Sequence, residues 1–267
     1  MALHESNQTL LLVVRLFFAG MEVAAAQNCG CSANLCCSRF GYCGTSGSDD
    51  YCGTGCQQGP CYSSRGSVAD IVTQSFFDGI INQSDSSCAG RRFYSRDAFL
   101  TAAGYYPGFG RTGSSEDARR EIAAFYAHVT DVTDHLCFIE ATNRQSQCDT
   151  NRTDWPCVSG RDNYGRGPLQ LTWNYNYGPA GLANGFDGLR APETVANDVV
   201  ISFRTALWFW MNYCHNLITS GQGFGATIRA VNGACDDGNR AAFNARIGYY
   251  RDYCSRFGVD PGNNLTC

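Results

Sequence analysis

Sixteen cysteines in a chain of 267 residues set the first limit on how it folds. Eight crowd into residues 29–61, "CGCSANLCCSRFGYCGTSGSDDYCGTGCQQGPC", and eight are spread from Cys88 to Cys267. The first cluster has almost no aliphatic residues, so it cannot fold by burying apolar surface and must be held by cross-links. An even count far above cytosolic usage points to an oxidising compartment. Closely spaced cysteines can also bind metal, but that compartment and the adjacent Cys36 and Cys37 favour disulfides.

The N-terminus fits the same compartment. "TLLLVVRLFFAGM" is an apolar run too short and too interrupted to span a bilayer, and "AAAQ" offers small residues for cleavage after Ala26. Arg15 lies inside the run, and His4 and Glu5 stand where a signal usually carries Lys or Arg. Residues 1–26 are therefore expected to be a signal peptide, and the mature chain to be secreted, to the apoplast or the vacuole. A net charge of −4 and 16% charged residues give neither a polybasic nucleic-acid binder nor an acidic tail. Without a second long apolar run, no membrane partner is expected.

After a short polar linker, residues 62–67, the pattern turns helical. "VADIVTQSFFDGII" has helical apolar spacing, and "SSEDARREIAAFYAHVTDV" opens with Ser114 and Asp117 as a capping box. Its stripe is Ile122, Phe125, Tyr126, Val129 and Val132. "PETVANDVVISFRTALWFWMNYC" reads as one further long helix with Pro192 near its first turn. The fold class is mainly α, pinned by disulfides, with a small disulfide-rich module in front.

In the front module, residues 27–61, "CCSRFGYC" followed by "DYC" resembles the hevein-type chitin-binding domain. The resemblance implies the pairs Cys29–Cys37, Cys31–Cys43, Cys36–Cys52 and Cys56–Cys61. It also places Ser38, Phe40, Tyr42 and Tyr51 against the sugar. Alternation of Phe40 and Tyr42 would set two rings on one face of an extended segment, suited to stacking on N-acetylglucosamine. The loop "GTSGSDDY" is longer than the usual pattern, which would displace Tyr51 and lower affinity.

At "YGRGPLQLTWNYNYGPAG", "NRTDWPC" and "GFGATIRAVNG", residues 68–267 closely resemble plant class IV chitinases of glycoside hydrolase family 19. That family cleaves chitin with inversion, in a cleft across a lysozyme-like helical domain. The resemblance implies Cys88–Cys137, Cys148–Cys157 and Cys235–Cys267, and leaves Cys214 and Cys254 either bridged or both free. It assigns Trp155, Gln170, Thr172, Tyr175, Asn176, Asn232 and Arg246 to sugar contact or to support of the catalytic centre. Gly165, Gly167 and Gly178 read as turn scaffolding.

Inversion needs a carboxylic acid to protonate the leaving oxygen and a carboxylate to activate water, roughly 6.5–9.5 Å apart. Against the family string "HVTHETGHFC", this chain reads "HVTDVTDHLC", so Val132 stands at the acid position. "CFIEAT" puts Ala141 at the position of the base. A third acidic position falls in "NGACDDG", where Asp236 replaces it or it is deleted. Asp131 and Glu140 are the nearest stand-ins, each one residue out of register. One step along a helix turns a side chain by about 100°, and one step along a strand reverses its face. His128, Asp131 and His135 share a helical face that a metal could use, although a packed or solvated histidine face is more ordinary. No metal and no cofactor are expected.

These readings converge on a secreted, monomeric binder of chitin and chitooligosaccharides that lacks hydrolase activity, in plant defence. The alternatives are an active inverting endochitinase that recruits Asp131 or Glu140, and a storage or structural protein with a vestigial cleft. Sequons for glycosylation occur at Asn82, Asn151 and Asn264.

Overall fold

The computed structural model describes residues 30–32, 35–38, 40–44, 56–58, 67–233 and 240–267. The chain divides into two units, Met1–Arg65 and Gly66–Cys267. The predicted signal peptide, most of the linker, the loop 45–51, Tyr51, Asp236 and Cys29, Cys52, Cys61 and Cys235 lie outside the described residues.

In the first unit a central strand β1 (Cys36–Ser38) pairs antiparallel with β2 (Cys43–Gly44) and β3 (Cys56–Gln58). Cys31 and Cys43 are bridged, and Cys36 and Cys37 are also disulfide-bonded. So short a sheet cannot support itself by packing, and covalent links substitute for a core.

The described residues of the second unit form helices α1 (Val68–Ile71), α2 (Gln74–Ile81), α3 (Gly90–Phe93), α4 (Arg96–Ala103), α5 (Ser115–Thr133) and α6 (Asn174–Asn184). There follow α7 (Thr194–Asn197), α8 (Val199–Tyr213), α9 (His215–Thr219), α10 (Phe224–Asn232) and α11 (Arg240–Arg256). Two helices expected to be continuous are broken. Thr73 accepts a hydrogen bond from the Phe76 amide and starts α2, while Asp198 caps Val200 and Ile201 and starts α8. Each side chain satisfies amides that a new helix leaves unpaired, so the chain restarts although the apolar spacing runs on.

Ser114 and Asp117 form the capping box of α5, and Ile122, Phe125, Tyr126 and Val129 are fully buried along it. Phe125 meets Phe109 and Trp210 edge-on at centroid distances of 5.2 and 5.6 Å, the arrangement aromatic quadrupoles favour. Val132 is only half-buried, where the stripe runs out to the surface. The bridges Cys88–Cys137 and Cys148–Cys157 tie loops to this core, and Cys267 is disulfide-bonded too. Cys214 and Cys254 are both free and buried. Burial pushes both thiols up, Cys254 to about 11, so neither is a ready nucleophile.

A buried carboxylate crosses the core. Glu121 accepts hydrogen bonds from Trp210 Nε1 (2.9 Å), the Gly110 amide (2.8 Å) and His215 Nδ1 (2.6 Å). The Glu121 hydrogen bond and charge hold the His215 imidazole above its usual 6.5, against burial. A raised histidine stabilises the fold fully below its unfolded value, and that contribution is lost as pH rises through the higher folded value. The melting temperature of the unaltered chain is therefore expected to exceed that of His215→Gln most in mild acid. The difference should narrow through neutral to alkaline pH; one that stayed constant between about pH 5 and 9 would show that the pair carries no proton linkage.

Candidate functional site

A strained turn shapes the centre of the site. Asp134, His135 and Leu136 all have left-handed backbone angles, φ 48°, 60° and 62°. Such conformations are uncommon for non-glycine residues and persist where the surroundings enforce them. Here Thr133 Oγ1 accepts from the Leu136 amide at 2.8 Å, the Cys137 and Phe138 amides bond to the Thr133 carbonyl, and Cys137 is bridged to Cys88. The turn carries the chain from the end of α5, where Val132 sits, into the extended segment 139–141.

That segment pairs with the loop before α6. The Ala141 amide donates to Gly165 O and the Gly167 amide to Ile139 O, both at 2.8 Å, with Glu140 bridged to Arg166. Extended geometry sends Glu140 and Ala141 to opposite faces. Glu140 Oε1 accepts from Tyr164 Oη (2.9 Å) and Arg166 Nε (3.1 Å), and its Oε2 from Arg144 (2.8 Å). It borders a concavity of about 450 Å³ with Phe138, Arg144 and Glu193, which none of the predicted cleft residues lines.

Asp131 is equally committed. Its Oδ2 accepts from Arg246 Nε (2.8 Å) and Nη2 (2.5 Å). Arg246 is 5% exposed and also donates to Asn232 Oδ1 at 3.1 Å. It therefore braces α5, α10 and α11 from inside. His128 is fully buried, and burial and Arg246 hold its pKa well below the usual value. A neutral ring accepts from Arg246 at Nδ1 (3.2 Å) and donates from Nε2 to Thr227 Oγ1 (2.8 Å), whose hydroxyl donates to Phe224 O. With both nitrogens engaged, His128 has no lone pair for a metal. Among the described residues no cluster of three metal-ligating side chains occurs.

The remaining cleft positions gather on the loop 165–173 and α6. Gln170 Nε2 donates to Gly167 O (2.9 Å), Thr172 Oγ1 to Gln170 O (2.6 Å), and Asn176 Nδ2 to Thr172 O (2.9 Å). These bonds fix the side chains, and among the described residues no hydrogen bond reaches Asn176 Oδ1. Asn174, fully buried, donates to Asp149 O and Trp155 O and accepts from the Asp149 amide, which clamps the 148–157 disulfide loop onto α6. Trp155 then lies against Gly178, where an added Cβ would come within 2.1 Å of the indole. Tyr175 stacks on Trp173 at 5.8 Å and 12°, with the Arg152 guanidinium 4.9 Å from its centroid. Sequence reasoning passes over Trp173, Asn174 and Arg166. An aromatic two residues before another on a polar loop was the available signal for Trp173.

In the first unit Phe40 and Tyr42 are 59% and 64% exposed. They do not alternate along a strand: Gly41, at φ 84°, makes a tight turn closed by Ser38 N to Tyr42 O at 2.9 Å. Ser38 is buried, and its Oγ accepts from the Phe40 and Tyr42 amides (3.3 and 3.2 Å). Its hydroxyl shapes the turn that presents the two rings.

The second unit thus defines a class: a disulfide-pinned, lysozyme-like helical domain in which a strained turn at the end of α5 leads to a loop and helix carrying fixed polar side chains and a stacked pair of rings. The sequence model of glycoside hydrolase family 19, described as chitinase class I, matches residues 71–267, and the chain belongs to that family. It is 60% identical over 267 residues to endochitinase EP3 of Arabidopsis thaliana, covering 97% of this chain and 95% of that one. It is 55% identical over 271 residues to endochitinase B of Zea mays, with 97% and 95% covered. The crystal structure of a family GH19, class IV chitinase from Zea mays superposes with a TM-score of 0.71 at 55% identity, covering 74% of this chain and 98% of that one.

Proposed function

We propose that this protein is a secreted, monomeric chitin-binding member of the family that does not hydrolyse its ligand. Relatives named endochitinases match nearly the whole chain, which supports an N-acetylglucosamine polymer as the ligand. The observation that carries the loss of hydrolysis is the pairing of both stand-in acids. Val132 and Ala141 occupy the positions the resemblance gives to acid and base, while Asp131 is held by Arg246 and Glu140 by Arg166 and Arg144. Displacing a catalytic group by even about 1 Å can cost roughly a hundredfold, and these carboxylates belong to other contacts altogether.

Binding would use two surfaces. Phe40 and Tyr42 form a hevein-like stacking pair, and Trp155, Gln170, Thr172, Tyr175 and Asn176 line a cleft, with Asn232 and Arg246 as its internal support. The unaltered chain is expected to be retained on a chitin column, to elute with chitooligosaccharide, and to release no reducing sugar from colloidal chitin. The double change Phe40→Ala with Tyr42→Ala should reduce retention by about tenfold or more, as losing 1.4 kcal/mol or more of stacking would. Failure to bind chitin would overturn the reading in favour of a storage or structural role; ordinary turnover would return it to the endochitinases.

A further inference from the structure

The two ends of α5 meet different surroundings. Its last turn carries Val132, whereas its second turn brings Arg119 to the edge of a separate concavity of about 460 Å³, closed by α1, α2 and the end of α11. About 20 Å of helix separate Arg119 from Val132. Arg256 is the second guanidinium on this concavity. Arg120 takes both acids of the first turn of α5, Glu116 at 3.0 Å and Asp117 at 2.9 Å. Among the described residues no hydrogen bond or ion pair reaches Arg119. Arg256 crosses from α11 to lie against Gly79 of α2, where an added Cβ would stand 3.2 Å from its Nη1. Its Nη2 meets Asp252 at 2.8 Å in an exposed pair, the kind that contributes little.

The rest of the lining is mostly apolar. The rings of Phe76 and Phe257 lie 4.6 Å apart beside Ile71, and Tyr126 and Tyr253 hold Phe76 edge-on at 5.2 Å each. Thr73 and Ser75 add hydroxyls; Thr73 Oγ1 accepts from the Phe76 amide and keeps its own proton to donate. Asp70 is the one acid in the lining, and its Oδ2 accepts from the Ser67 amide at 2.7 Å within the capping box of α1.

We propose that this concavity is a second binding site, for a small aryl carboxylate. An unpaired guanidinium offers a planar fork that matches a carboxylate. The wall of Phe76, Phe257 and Ile71 suits a flat ring, and the volume falls in the range of small-molecule sites. Asp70 adds a like charge at the rim, which disfavours a compact dianion more than a monoanion. The site does not depend on the chitin reading.

The test is calorimetric titration of the full chain with cinnamate. Saturable one-to-one binding is expected with a Kd of about 1 mM or tighter. Cinnamyl alcohol, which has the ring without the charge, and inorganic phosphate, which has charge without the ring, should each bind at least about tenfold more weakly. Arg119→Gln should weaken cinnamate about tenfold. So should Ser75→Asp, which sets a like charge in the lining; an acid in the first turn of a helix is favourable, so its melting temperature should not fall. No saturable binding by the unaltered chain, phosphate as tight as cinnamate, or an unchanged affinity in Arg119→Gln would overturn the proposal. Retention on chitin should be the same with and without saturating cinnamate. Its loss would place the acid among the sugar contacts and overturn the separate site, whereas a chain that bound cinnamate but not chitin would fail only the earlier reading.

Discussion

If the chain is the silent binder proposed above, Val132→Glu together with Ala141→Glu is expected to give it the ability to release sugar from chitin. General acid and base groups each contribute roughly a hundredfold to ten-thousandfold, so the double variant should exceed the unaltered chain by at least about a hundredfold. Each single change should stay near background, because inversion needs a proton donor on one side of the bond and a base for water on the other. The backbone is suited to the change. Val132 is half-buried at the open end of α5, Ala141 lies on the face opposite Glu140, and the Thr133–Leu136 turn fixes both segments. Thr172 and Asn176, already positioned, would then have a base beside which to hold water. A double variant that folds and binds chitin yet remains silent would assign the missing function to the third acidic position near Asp236. In that event the Asp131–Arg246 pair becomes the next suspect, because it gives this arginine a partner on α5.

How much of this was legible beforehand depended on how local each cause is. The cysteine spacing, the capping box of Ser114 and Asp117 and the stripe from Ile122 to Val129 are short-range patterns, and they read directly as structure. Thr73 and Asp198 do not mark breaks in the sequence pattern because apolar periodicity continues across both, whereas a cap depends on one side chain meeting one or two amides. At the cleft positions that the resemblance implies, amides and hydroxyls stand out as residue types with few structural reasons to cluster in a turn-rich string. Their long-range partners do not: Asn174 acts on Asp149 and Trp155, 25 and 19 residues away, and Arg246, although named, on Asp131 at a separation of 115. The motifs likewise hide the internal partners of Arg246 and Ser38, which hold Asp131 and the Phe40–Tyr42 turn. A polar side chain in a binding motif looks alike in sequence whether it faces the ligand or holds the residue that does.

Arg166 is the support whose loss should cost most. It is 4% exposed, and its guanidinium donates to Glu140 (3.1 Å), Asp162 O (2.9 Å) and Tyr177 Oη (2.9 Å) while lying 3.7 Å from the Tyr164 ring centroid. Arg166→Ala would leave Glu140 with the Tyr164 hydroxyl and the exposed Arg144, and strip the Tyr177 hydroxyl of a donor inside the core. Breaking a buried pair by removing one partner typically costs about 3–5 kcal/mol. For a domain of this size that lowers the melting temperature by roughly 10 °C. Arg166→Lys keeps the charge but not the planar fork that reaches a carboxylate, a carbonyl and a hydroxyl at once, so it should recover less than half of the loss. The effect should reach the ligand as well, because Arg166 pairs across the loop with Leu171 and so fixes the stretch carrying Gln170 and Thr172. At a temperature where Arg166→Lys is still folded, its cleft should bind the N-acetylglucosamine hexamer several-fold more weakly. A variant as stable and as tight as the unaltered chain would mean that Glu140 needs no cation there, and a carboxylate so placed would again be free to act as a base.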